Sequence, residues 1–186
     1  KTLPATVPDA TPDAFLSSAD STSCYGADYN DGRAHIIATS VQNGPYMFSM
    51  DGGPQQYSGD FYDLSAGNHT ITAYNYFGCV STIPVFVPEP LPIVVDVTPD
   101  TLLLPLGEGG EVLVTYLNAS NVHYAWTPTL GLSCIDCPNP TITVYQRGDY
   151  LVTVSMQNGT STCYGTATVH VDIEEQQPIF IPNSFS

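Results

Sequence analysis

The pattern with most chemical potential is Cys134-Ile135-Asp136-Cys137, a pair among 5 cysteines. A Cys-x-x-Cys spacing serves redox catalysis, structural zinc or a local disulfide. A thioredoxin-type thiolate needs a helix N-terminus in a βαβ unit, and Pro138-Asn139-Pro140 forbids a helix there. Zinc needs further ligands, for which only Cys163 with His123 or His170 is on hand. A small loop-stapling Cys134–Cys137 disulfide is therefore expected, with Cys163 left as a buried thiol. Pairing of Cys163 with Cys134 or Cys137 is the alternative. Cys24 and Cys79 are the cysteines of the N-terminal half and are expected to pair. Closing that loop would contribute on the order of 4 kcal/mol on the chain-entropy account.

Other chemistry is thinly represented. The 4 histidines, His35, His69, His123 and His170, fall on separate strand candidates, without a His-x-x-x-His pair or a carboxylate cluster at metal spacing. No Gly-x-Ser-x-Gly nucleophile elbow occurs, so no enzymatic site is expected. Asp28-Tyr29-Asn30-Asp31-Gly32 has the wrong spacing for an EF-hand and lacks the closing Glu, so it reads as a turn capped by Asx side chains. No cofactor is required. Calcium at a domain junction stays open as an alternative, with Asp96, Glu108, Asp172, Glu174 and Glu175 as hard oxygen ligands. Tyr25, Tyr29, Tyr57 and Tyr62 are candidates for an aromatic platform, against the plainer reading of turn and strand tyrosines. Asn68, Asn118 and Asn158 begin N-glycosylation sequons.

Composition narrows the class. Lys and Arg total 3 against 18 Asp and Glu, giving a net charge of -15. Nucleic acid and anionic membrane surfaces are excluded, because binding them depends on basic side chains. The 12 Tyr and 7 Phe, with many Val, Ile and Thr, argue for a packed β-protein rather than disorder. There is no apolar run of the roughly 18 residues a membrane helix needs. Without a start methionine or signal peptide, the chain is expected to be an internal piece of a longer polypeptide. Its cysteines point to an oxidising compartment.

The elements that must position these residues come in two sets. Gly148-Asp149-Tyr150-Leu151-Val152-Thr153-Val154 occurs in weaker form as Gly67-Asn68-His69-Thr70-Ile71-Thr72-Ala73. Period-two alternation marks each as a half-buried strand, the late core strand of its own domain. Residues 1–19 suit an extended linker able to pair with the first domain's edge. Residues 20–90 hold strand candidates at Ala34–Thr39, Tyr46–Met50, Phe61–Leu64, His69–Tyr76 and Val80–Val87. The turn Asp51-Gly52-Gly53 lies among them, and prolines from Pro84 to Pro92 mark the boundary. Residues 91–176 hold candidates at Ile93–Val97, Thr101–Leu106, Glu111–Tyr116, Val122–Trp126, Thr141–Tyr145, Asp149–Met156 and Gly165–Ile173. Trp126, the 1 tryptophan, reads as a core aromatic between sheets. The expected fold is all-β: two tandem immunoglobulin-like β-sandwich domains.

Cys24-Tyr25-Gly26, Asp31-Gly32, Pro45-Tyr46-Met47-Phe48-Ser49, Leu64-Ser65-Ala66-Gly67 and Gly78-Cys79 resemble the SprB-type repeat of gliding-motility adhesins of the Bacteroidota. Tyr124-Ala125-Trp126-Thr127-Pro128, Gly131-Leu132-Ser133-Cys134, Cys137-Pro138-Asn139-Pro140 and Gly148-Asp149-Tyr150 resemble the PKD-like immunoglobulin-fold module of secreted proteins from that phylum. Ile179 to Ser186, within the segment 177–186, resemble the opening of the gliding-motility-associated C-terminal domain, which carries the type IX secretion signal. Asp20-Ser21-Thr22 and Asp100-Thr101-Leu102 resemble the O-glycosylation motif of the same phylum, with Ser21 and Thr101 as acceptors.

These resemblances imply a non-enzymatic stalk or adhesion segment of a large type IX-secreted surface adhesin, placed outside the cell on its surface. Its partners would be the type IX machinery, outer-membrane surface proteins and, as an open case, extracellular glycans. Neither nucleic acid nor membrane insertion is expected. The alternative is a carbohydrate-binding accessory region of a secreted polysaccharide-degrading enzyme. Self-association through strand edges is also left open.

Overall fold

The computed structural model describes residues 12–39 and 44–175. The first part of the expected linker and the whole 177–186 segment lie outside these residues. The chain forms two compact units, Lys1–Leu91 and Pro92–Ser186. Among the described residues there are strands and turns and no helix. This is the all-β, immunoglobulin-like sandwich class, in tandem.

The first unit contributes β1 (Ala14–Asp20), β2 (Gly32–Ala38), β3 (Met47–Met50), β4 (Asp60–Leu64), β5 (Gly67–Tyr74) and β6 (Val80–Val87). One sheet runs β1-β2-β4 and the other β3-β5-β6. Alternate residues of each sheet face inward, so Ala34, Ile36, Phe48, Ile71, Val85 and Val87 meet in one core. The hairpin turn after β3 has positive φ at Asp51 (49°) and Gly52 (74°), with Gly53 N–H donating to Met50 O. That is the backbone twist a tight hairpin requires.

The edge pairing expected of the 1–19 segment is present at Ala14–Asp20, which form β1, antiparallel to β2, and so belong to the sandwich rather than to a linker. A bulge between Leu16 and Ser18 shifts the register. Ala14 and Leu16 turn inward before it and Ala19 after it. Pro84 lies within β6, the expected Val80–Val87 strand, opposite Thr70, so the exit prolines begin only at Pro88. Pro84 is tolerated because β6 is the edge strand of its sheet, where a missing N–H leaves no neighbour unpaired.

The second unit contributes β7 (Val94–Thr98), β8 (Thr101–Leu104), β9 (Gly109–Glu111), β10 (Leu113–Leu117), β11 (His123–Thr127), β12 (Thr141–Thr143), β13 (Gly148–Asn158) and β14 (Ser161–Ile173). β10 pairs with β7 and β9 with β12. Val112 N–H to Pro140 O (3.0 Å) and Val114 N–H to Pro138 O (2.8 Å) join these ladders into one sheet. The facing sheet runs β11-β13-β14-β8, with β8 parallel to β14. A first strand shared between the two sheets and a long final hairpin are the immunoglobulin-like arrangement. Gly67 and Gly148, the heads of the repeated stretch, open β5 and β13.

Trp126 on β11 is 4% exposed, packed with Val114, Ile142 and Val152, and its indole N–H donates to Cys137 O at 3.0 Å. Tyr150 near the start of β13 is also buried, and its hydroxyl donates to Leu130 O at 2.6 Å. Such a tyrosine pins a loop to the sheet below it. Burial raises the Tyr150 pKa above the usual phenol value. Trp126→Ala should cost this unit about 3–5 kcal/mol. Tyr150→Phe, which strands one carbonyl, should cost about 1–3 kcal/mol. Urea titrations followed by circular dichroism would measure both, and equal losses for the two variants would contradict this ranking.

Candidate functional site

The structure assembles one constellation that spacing alone does not isolate. Asp51, in the turn after β3, His69 on β5 and Ser65 just before β5 come together. His69 Nδ1 lies 2.7 Å from Asp51 Oδ2, and Nε2 lies 3.4 Å from Ser65 Oγ. The order Asp, His, Ser resembles a hydrolase triad, yet Nε2 also lies 2.9 Å from the Ser65 carbonyl oxygen. A carbonyl only accepts, so Nε2 must donate; a carboxylate only accepts, so Nδ1 donates too. With acceptors at both nitrogens the geometry favours the imidazolium form, which has no lone pair to take a proton from serine. It is a clasp, tying the hairpin turn to β5, rather than a general base.

The charges agree with this geometry. The Asp51 hydrogen bond raises the His69 pKa above 6.5, against partial burial that lowers it, with the Ser65 carbonyl adding to the rise. Partial burial pushes Asp51 up, but the His69 and Thr70 hydrogen bonds outweigh it and hold Asp51 below 3.8. Asp51 Oδ1 accepts from Thr70 N–H at 2.7 Å, so both carboxylate oxygens are used.

The cysteines are arranged differently from expectation. Cys134 and Cys137 are joined, with Cα atoms 5.9 Å apart. Cys79 carries a free thiol, so the Cys24–Cys79 pair does not form. Cys24 and Cys163 are each disulfide-bonded and buried, which corrects the reading of Cys163 as a thiol. The reason for the first correction lies in β6. Thr22 N–H donates to Pro88 O and Gly26 N–H to Glu89 Oε1, placing the Cys24 loop past the C-terminal end of that strand. Cys79 precedes its other end. The strand between them spans about 25 Å at roughly 3.3 Å per residue, whereas a disulfide tolerates a Cα separation of about 7 Å at most.

The acidic side chains do not converge. Among the described residues no group of three or more His, Cys, Asp or Glu side chains is placed to hold a metal. Asp172 accepts from Arg147 Nε at 2.7 Å, and Glu175 lies 3.6 Å from the same guanidinium. Asp31 caps its loop by accepting from Ser23 N–H at 2.8 Å. Ser21 and Thr101, the O-glycosylation candidates, are both exposed, each at the edge of a turn.

A further feature is a surface groove of about 520 Å³ beside β2, lined by residues that include His35, Ile37, Pro45, Tyr46, Phe48 and Tyr57. Tyr57 is 71% exposed. His35 Nδ1 lies 2.7 Å from Asp60 Oδ1, and Ser58 Oγ donates to Asp60 Oδ2 at 2.9 Å. The Ser58 hydroxyl, then His35, hold Asp60 below the usual carboxylate range. Of the other candidate tyrosines, Tyr62 is exposed but carries the Arg33 guanidinium over its ring at 5.5 Å. Tyr25 is exposed on the Cys24 loop and does not line the groove. Tyr57 is one of the four tyrosines offered by the sequence; the contributions of His35, Asp60 and Tyr46 depend on strand pairing that spacing does not reveal.

No family model matches the chain, and no curated protein matches it. Solved structures similar to it include Dscam1 isoform 1.9, N-terminal four Ig domains, with 15% identity, a TM-score of 0.36, and coverage of 94% of this chain and 45% of that one. A second, described as the structural basis for Dscam isoform specificity, has 13% identity, a TM-score of 0.37, and coverage of 76% and 41%. Murine CEACAM1b has 12% identity, a TM-score of 0.33, and coverage of 87% and 100%. The chain spans less than half the length of these Dscam structures.

Two outcomes are expected. The stabilisation from His69 is full below its unfolded pKa of about 6.5 and disappears as pH rises through the raised folded value. That from Asp51 is present above its ordinary 3.8 and disappears as pH falls through its lowered value. The melting temperature of the first unit should therefore decline as pH rises past the His69 pKa, and His69→Gln should flatten that decline; an unchanged slope would refute the clasp. Alkylation of the folded, unreduced protein should label Cys79 alone, and mass spectrometry showing any other labelled cysteine would contradict the pairing above.

Proposed function

We propose that this chain is a non-enzymatic stalk segment of a large surface adhesin exported by the type IX route, serving gliding or attachment. The observation that carries the reading is where the chain enters and leaves each unit. In the first, the end of β1 is bonded beside the end of β6 through Thr22 and Pro88. The chain comes in at Ala14, about 23 Å away at roughly 3.3 Å per residue. In the second, Ile93 O lies so close to Gly165 that a Cβ there would collide with it. The chain goes out beyond Ile173, about 26 Å further along β14 by the same measure. Among the described residues the first strand of each unit starts at one end and the last strand finishes at the other, the topology that modules in series need.

Load then acts along the strands. In the second unit Thr101–Leu104 pair in parallel with His170–Ile173. A pull on the two ends drags β8 backward and β14 forward, so their hydrogen bonds are sheared together instead of opening one by one. His170 N–H to Asp100 O and Glu174 N–H to Leu104 O, both near 2.8–2.9 Å, close the two ends of that ladder. The disulfides support an extracellular setting. The resemblance to gliding-motility modules supports the type IX context, and the spent lone pair on His69 supports a non-catalytic role.

The alternation of a parallel ladder turns the Leu104 N–H toward β14 and the Leu103 N–H away. In single-molecule pulling, Leu104→Pro should lower the unfolding force of the second unit more than Leu103→Pro does. It should also cost about 1 kcal/mol or more at equilibrium. Equal forces for the two variants, or unfolding of both units at negligible load in the parent chain, would overturn the mechanical reading. Recovery of the native protein from the cytoplasm with all thiols reduced would overturn the surface assignment.

A further inference from the structure

We propose that the groove beside β2 is a binding site for a neutral saccharide chain, with the Tyr57 ring as its stacking platform. This goes beyond a spacing role, because it gives the segment a contact of its own with extracellular glycan. The starting point is an aromatic ring left in water on a closely hydrogen-bonded mount. Gln56 exchanges both backbone hydrogen bonds with Phe48, each 2.8 Å. Its side-chain amide donates to Ser58 O at 2.9 Å and to Asp60 O at 2.7 Å. Gly59 O accepts from Ile36 N–H at 2.9 Å, and Gly59 lies so close to β2 that a Cβ would collide with Ile36 O. Every flank of Tyr57 is tied down while its own side chain is 71% exposed. A rigid aromatic ring costs little conformational entropy to use, since the ordering is already done.

The surroundings select the ligand class. A pyranose offers an apolar face of C–H groups and an equatorial rim of hydroxyls. Tyr57, with Tyr46 and Ile37 beside it, supplies apolar surface for the first. The His35–Asp60 pair supplies a fixed donor and acceptor for the second: Asp60 is braced by Ser58, and His35, engaged through Nδ1, retains Nε2. The volume lies within the range of ligand sites, and the groove opens at the surface, as a polymer continuing past its bound residues requires. Charge excludes the acidic glycans. Among the described residues no Lys or Arg lines the groove, Asp60 is bonded to the His35 that does, and the chain's net charge is -15. Uronate or sulfate groups would meet repulsion with nothing to offset it.

The test is an amide-resolved NMR titration of the whole chain with cello-, xylo- and manno-oligosaccharides, and with an oligogalacturonate as the acidic counterpart, at millimolar concentrations. Shifts should localise to the residues around His35, Tyr46, Tyr57 and Asp60 for at least one neutral probe. Tyr57→Ala, which alters an exposed side chain and leaves the core intact, should weaken that binding about tenfold or more, while Tyr76→Ala on the β5–β6 turn should leave it unchanged. Absence of shifts with every neutral probe, shifts clustered elsewhere, full affinity in Tyr57→Ala, or tighter binding of the oligogalacturonate would each overturn the site. None of these results bears on the pulling behaviour of the units, so the saccharide site and the stalk role stand or fall separately.

Discussion

Each unit depends on one long antiparallel hairpin, and on the unbroken backbone pairing within it. In the second unit the ladder runs from Gly148 opposite Val171 to Asn158 opposite Ser161, without a bulge. In the first it runs from Gly67 opposite Val87 to Tyr74 opposite Val80, also in continuous register. Other strands lie beside this hairpin or cover its inner face with Ile36, Phe48, Trp126 and Ile142. A one-residue slip would turn every inward side chain to water, so the hydrophobic pattern and the hydrogen bonds enforce the same register. The repeated Gly-led stretch is the sequence trace of that shared constraint.

Period-two alternation made most of the fold legible. Val152 and Val154, or Ile71 and Ala73, reveal their strands because nothing interrupts the parity between them. β1 is legible only as an extended segment able to pair with an edge, for a physical reason: its bulge moves the inward positions from Ala14 and Leu16 to Ala19, which breaks the alternation that would have marked a strand. Pro84 reads both as part of the Val80–Val87 strand and as one of the boundary prolines, because a proline looks the same in a boundary as in an edge strand, and only the sheet order tells them apart. The Cys24–Cys79 expectation failed on direction. Sequence places both cysteines in one unit, but it does not say that they lie beyond opposite ends of β6.

The candidate sites show the same division. Tyr57 is legible only as one of four candidate tyrosines, whereas the His35–Asp60 pair arises only when β2 and β4 align those residues. Asp51, Ser65 and His69 have the composition of a catalytic set, and only hydrogen-bond direction shows that the imidazole is already spent. Composition identifies which atoms are present; their availability is decided by what each lone pair and proton is already doing.

The scarcity of cationic side chains has a further effect. Arg33 lies inside β2 with its guanidinium over Tyr62, and Arg147 is engaged with Asp172. A trypsin-like protease needs a basic side chain on backbone that can be drawn out in extended form, and cleavage concentrates where loops are loose. With Lys and Arg totalling 3 in the whole chain, such an enzyme has almost nothing to grip. The same scarcity of basic side chains that gives the chain its net charge of -15 therefore also confers durability where trypsin-like proteases are abundant.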